Sequence, residues 1–152
     1  MASAFKRQRN TCAFVIAALV LPAALPAAEG DDTLRYYLSK SSLVVSGDII
    51  DGPRIVSTET SVNRYSFRLK VTKIIKGGIH ENALKDGLPV GTIHPETNKA
   101  ESLAFVKKGE RVIVFLRERQ DKLGGWEGAD PWFGVQQYNE IMEDALERLY
   151  AE

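Results

Sequence analysis

The chain has 152 residues in which 20 Lys and Arg face 20 Asp and Glu. That length fits one domain, and the charge balance argues against nucleic acid as a partner held by bulk positive potential. With a single cysteine, Cys12, no intrachain disulfide can form. The two histidines, His80 and His94, have no Cys, Asp or Glu at metal-ligand spacing.

Lys6, Arg7 and Arg9 open the chain as a basic region, Cys12 to Leu21 is an apolar run, and Pro22 to Ala28 is rich in small residues. This is the layout of a secretory signal peptide over residues 1–28, with cleavage after Ala27 or Ala28. Leu25 or Pro26 then stands three before the cut, a departure from the small-residue rule. The apolar run is shorter than the ~20 residues that span a bilayer. The expectation is export to the periplasm or the outside, with no stable membrane span after cleavage. Removing residues 1–28 takes away Cys12 and three bases, leaving 17 bases against 20 acids, a net charge of −3. The mature domain, residues 29–152, therefore has to rest on its apolar core, which a chain of ~120 residues can supply.

Along that domain, Asp31 to Ser42 reads as a short helix, capped by Asp32 or Thr33, with Leu34, Tyr37 and Leu38 on one face. Leu43 to Ile50 is a strand ended by the turn signal Asp51-Gly52-Pro53. Arg54 to Asn63 reads as a long hairpin connection. Tyr65, Phe67, Leu69 and Val71 then alternate with Ser66, Arg68, Lys70 and Thr72, the pattern of a half-buried strand. The phase slips at Lys73, Ile74 and Ile75, and an extra residue at Thr72 or Lys73 (a β-bulge) restores it while bending the strand. Long bent strands belong to small closed barrels.

Gly77-Gly78 ends this strand, and between Ile79 and Ala100 only Leu88 to Ile93 offers a third one, weakened by its Pro and Gly. After a turn over Phe105 to Glu110, Arg111 to Leu116 is apolar on both parities and should be buried on both faces. A second turn, Lys122 to Gly125, leads to an aromatic, glycine-rich loop from Trp126 to Val135. The chain closes with a helix from Tyr138 to Tyr150, whose stripe is Ile141, Met142, Ala145, Leu146 and Leu149, with Asp144 placed to pair with Arg148. These elements predict a mainly β fold, a small closed or partly open OB-like barrel with a short N-terminal and a C-terminal helix. An immunoglobulin-like sandwich needs about seven strands, more than the sequence offers.

Chemistry-bearing patterns are sparse. There is no nucleophile elbow, no phosphate-binding glycine loop and no Ser/His/Asp arrangement, so no catalytic residue, metal or cofactor is assigned. Arg68, Lys70, Lys73 and Lys76 form a basic stripe beside the long strand, suited to an anionic partner or simply to a solvated face that resists edge pairing. Trp126 and Trp132 stand in the loop Gly124 to Gly134. Trp combines contact area with an N–H donor, so both are candidate contact residues, although Trp132 and Phe133 also suit a plug beneath the last helix.

The order of elements resembles the N-terminal domain of the tissue inhibitors of metalloproteinases and the netrin-like modules. The matching pieces are Ser42 to Ile49, Tyr65 to Val71, Lys73-Ile-Ile-Lys-Gly77, Gly109 to Leu116, and Pro131-Trp132 before a helix. Bacterial secreted proteins of unassigned function are similar in the same phrases. The resemblance implies an OB-fold barrel. It does not bring the inhibitors' mechanism, which chelates the protease zinc through an N-terminal cysteine held by disulfides, because the mature chain has no cysteine. OB barrels bind across their middle strands, framed by the loops between strands one and two and strands four and five. Here those are Asp51 to Asn63 and Gln120 to Asp130, with Trp126 partly exposed in the second.

The function expected is an exported, non-catalytic binding module for a protein or cell-envelope component, with Trp126, Trp132, Arg68 and Lys70 at its surface. The alternative is a secreted hydrolase whose acidic residues converge only in the fold. Mass spectrometry of protein recovered from its native cells should find an N-terminus near Glu29. An intact Met1 or Ala2 terminus in a cytosolic fraction would contradict export.

Overall fold

Two strands of very different length set the architecture: β1 runs over Leu43–Glu59 and β4 over Arg111–Glu118. The computed structural model describes residues 27–59, 62–95, 106–120, 125–131 and 133–152. In chain order the remaining elements are α1 (Ala27–Lys40), β2 (Val62–Lys76), α2 (Glu81–Asp86), β3 (Leu88–Pro95), β5 (Trp126–Gly128), β6 (Val135–Gln137) and α3 (Glu140–Ala151). The leader up to residue 26 lies outside the described residues, as does Trp132.

Strands β1-β2-β3-β5-β4 pair in that order, and β4 returns to β1, closing a five-stranded barrel. Only β3 and β5 pair in parallel; the other ladders are antiparallel. β6 adds to the opposite end of the β4 edge that carries β5. The protein is thus mainly β, an OB-like barrel with a helix before it and another after it.

The core has two layers because side chains on a strand alternate faces. Leu43, Val45, Ile49, Phe67, Leu69, Val90, Val112, Val114 and Leu116 fill the barrel. Val44, Ile113 and Phe115, on the opposite parity, lie under Leu34 and Leu38 of α1 and Leu146 and Leu149 of α3. This second layer is why β4 is apolar on both parities. Tyr37 stacks on Phe133 with centroids 3.8 Å apart, and Phe133 tilts against Phe115 at 5.1 Å, so Phe133 seals the helix layer instead of plugging the barrel.

The bulge expected near Thr72 is present: Ser46 pairs with Lys73 and Gly47 with Val71, leaving Thr72 as the extra residue. It moves Lys73 out of the barrel parity and toward the helices. Gly47 sits at the same step, where a Cβ would strike the Lys70 carbonyl, so the two backbones approach as only glycine permits.

Several expectations need correction. Asp51-Gly52-Pro53 does not end β1. Gly52 adopts φ +92°, a conformation that costs glycine little, and the strand bends and continues to Glu59. Arg54 to Glu59 and Val62 to Asn63 are therefore paired strand, with β1 ending at Glu59 and β2 beginning at Val62. Asp32 and Thr33 lie inside α1, which already begins at Ala27. α2 was hidden by the polar, turn-rich character of its segment. Trp126 belongs to strand β5 and not to a loop tip. Tyr65 and Val71, which the apolar parity of the strand predicts in the core, are only half-buried. Ile141 is 80% exposed because α3 starts at Glu140 after the Asn139 cap, whose side chain accepts from the Ile141 and Met142 amides. Arg148 bonds Asp31 of α1, at 3.1 Å, in place of Asp144.

Phe115, fully buried between barrel wall and helices, should cost about 3–5 kcal/mol when replaced by alanine. Ile141→Ala should stay within about 0.5 kcal/mol of the parent. Urea unfolding of both variants checks this two-layer description, and equal effects would refute it.

Candidate functional site

On the outer side of the barrel wall the strand registers arrange side chains in rows across β4, β1 and β2. Phe115, Val44 and Lys76 form the first row, Ile113, Ser46 and Lys73 the second, and Arg111, Asp48 and Lys70 the third. α1 and α3 cover the first two, and the Lys76 ammonium caps α1 by donating to the Leu38 carbonyl at 2.5 Å.

The second row holds the densest polar chemistry. Glu143 of α3 is only 8% exposed. One of its carboxylate oxygens accepts from the buried Ser46 hydroxyl, the other from the Tyr138 hydroxyl at 3.2 Å. Lys73 stands 3.6 Å from Glu143 and 2.8 Å from Glu147. The hydrogen bond to Glu147, followed by the nearby Glu143 charge, holds the Lys73 ammonium above the usual lysine range. Desolvation, followed by the bond to Glu143, pushes the Tyr138 phenol up. A buried carboxylate needs such partners, because desolvation without them is costly. Ser46 lies on β1, Lys73 on β2 and Tyr138 just before α3, so the cluster clips α3 to the bulge in β2. The sequence hid it, since Glu143 sits beside the apolar stripe and Ser46 in a run read as plain strand.

Beyond the helices no described element covers the face. The rows continue with Asp51, Arg68 and Pro89, then Arg54, Ser66 and Gly91, and Gly91 pairs onward to Glu127, itself opposite Arg117. Each of the three carboxylates described here meets an arginine. Asp48 accepts from Arg111 at 2.9 Å, Asp51 from Arg54 at 3.0 Å and Glu127 from Arg117 at 2.9 Å. Asp51 is held below the usual carboxylate range chiefly by that Arg54 bond, and Arg111 is raised by Asp48. β2 carries Arg64, Arg68 and Lys70 in this region and no acid at all. Positive charge is therefore in excess along the central strand of the face.

The structure brings Arg68 and Lys70 together on this face, both exposed. Arg68 also donates to the carbonyl of Asp86 at 3.0 Å, holding the end of α2. Trp126 lies on a neighbouring strand, yet it pairs with Val90 and packs half-buried against the barrel core, so only part of its ring system meets solvent. Trp132 lies outside the described residues. His80 is exposed before α2 and has no carboxylate bond; His94 lies on β3. Among the described residues no group of three His, Cys, Asp or Glu is placed to hold a metal ion, and no helix is long and apolar enough to cross a membrane.

No protein-family model and no curated protein matches this sequence.

Ser46→Ala removes a buried donor from Glu143 and should destabilise the protein by about 1–3 kcal/mol. The Lys73 contribution has a pH signature. A pKa raised on folding supplies stability that is fully present below the unfolded value and is lost as pH rises through the folded one. The melting-temperature gap between the parent and Lys73→Met should thus be constant near neutrality and close above about pH 10.4. A gap that widens there would contradict the clip.

Proposed function

We propose that the mature chain is an exported, non-catalytic binding module that holds an anionic cell-envelope component on the outer face of β2 and β3. The observation that carries this reading is the charge pattern of the bare face. Its three acids with described side chains are each matched by an arginine, while the exposed Arg68 and Lys70 add charge on a strand that carries no acid. Guanidinium and ammonium groups fixed on paired strands suit carboxylate or phosphate oxygens spaced along an extended polymer, since the strands keep the donors in place before binding. The barrel interior is filled with apolar side chains, which turns recognition to the outside. Kinship with the netrin-like modules is part of this proposal, without their inhibitors' cysteine chemistry.

A secreted hydrolase is the second reading, favoured by the convergence of Glu143 and Glu147 on Lys73. Its weakness is that both oxygens of Glu143 already serve Ser46 and Tyr138, which suits a clip between elements better than acid–base work.

Mature protein should be retained on polyuronate or polyphosphate matrices at low salt and released as salt rises. Arg68→Glu with Lys70→Glu should weaken retention at least about tenfold, with the β circular-dichroism spectrum intact. Retention unchanged in that variant, or absent in the parent on both matrices, would sink the proposal.

A further inference from the structure

β1 is 17 residues long, but β4 covers one edge of it only from Leu43 to Asp48. From Arg54 to Glu59 it pairs with β2 on one side, and no described strand takes the other. β2 pairs in turn with β3 over Val62 to Leu69, so the three strands form an arm beyond the barrel, with β1 as its edge. This edge carries Arg54-Ile55-Val56-Ser57-Thr58-Glu59, a run rich in β-branched residues, in which Ile55 and Val56 are 60% and 63% exposed. An edge of that kind presents unmatched backbone N–H and C=O groups and is a template for another strand.

We infer that two copies of this chain pair through these edges, β1 against β1 in antiparallel register, to form a two-fold dimer. The sequence of the edge is self-complementary. Val56 is an extra residue in β1, so positions 54, 57 and 59 share one parity, and a two-fold axis at position 57 sets position 54, an arginine, across from position 59 of the second copy, a glutamate, and does so twice. Opposite charges directly across an antiparallel pair stabilise it, and like charges there oppose it. A closed symmetric pair also consumes both β1 edges. The edge is short, and it is interrupted by the irregularities around Gly52-Pro53 and at Val56, where the register with β2 shifts. The contact is therefore small, and dimer formation depends on concentration.

The symmetry has a consequence for binding, which rests on the function proposed above. A two-fold axis between antiparallel strands is perpendicular to the sheet, so both copies turn the same face to the same side. The two Arg64, Arg68 and Lys70 rows then lie on one continuous six-stranded surface, and a long anionic polymer engages both at once.

Sedimentation velocity of the mature protein over a concentration series tests the pairing without any ligand. The parent should move from monomer to dimer as concentration rises. Arg54→Glu and Glu59→Arg should each remain monomeric at concentrations where the parent is dimeric, because each places like charges in both contacts. An equimolar mixture of the two variants should recover the dimer, since both contacts then join Glu to Arg. Should either variant lose its β circular-dichroism spectrum, Val56→Lys provides the same reading and should also be monomeric. A parent that stays monomeric up to its solubility limit overturns the inference. So does a dimer that survives the single charge reversals, and so does a mixture that fails to recover it.

Discussion

Barrel closure depends on one strand serving two neighbours. From Val44 to Asp48, β1 pairs with β2 along one edge and β4 along the other, and it is this double pairing that turns an open sheet into a barrel. β4 is eight residues long and β1 is 17, so the double pairing cannot extend along the whole strand. The rest of β1 stays with β2 and leaves the barrel as an arm. That mismatch divides the molecule into a helix-covered wall, buried on both sides, and a bare extension paired on one edge.

The two halves differ in how they satisfy polar groups. Where α1 and α3 cover the wall, polar side chains are drawn into the closed set of Ser46, Tyr138, Lys73, Glu143 and Glu147, and no described buried side-chain donor or acceptor lacks a partner. Ion pairs from Arg35 to Glu152 and from Arg148 to Asp31 add exposed links between the helices, each worth little alone. Where the wall is bare, charges stand in water, and β2 contributes bases only. The same strand thus ties down the helices with Lys73 and Lys76 and faces solvent with Arg68 and Lys70.

Much of the barrel was legible because its signals are local. Alternation from Tyr65 to Val71 marked β2, its phase slip marked the bulge at Thr72, and the doubly apolar run from Arg111 to Leu116 marked a wall covered on both sides. What escaped depends on partners far along the chain. Asp51-Gly52-Pro53 carries every local sign of a turn, yet continued pairing with Ser66 to Arg68 keeps β1 extended. Trp126 looked like a loop residue because its strand is three residues long and exists only through ladders to Val90 and Glu118. Glu143 lies within the expected helix, but its burial follows from Ser46, 97 positions away. Of the candidate contact residues, Arg68 and Lys70 came from strand parity, a reliable local rule. The matching of Asp48, Asp51 and Glu127 on their face by arginines required the registers.

Amide hydrogen exchange resolved along β1 tests the division of that strand most directly. Measured on the monomer at low concentration, amides from Val44 to Asp48 should all be protected, to near the global stability, because both edges are paired. From Arg54 to Glu59, protection should alternate, with amides that face β2 slow and those on the other edge exchanging close to the unfolded rate. Uniform strong protection across Arg54 to Glu59 would contradict the account, since it would mean that the edge is already covered in the monomer.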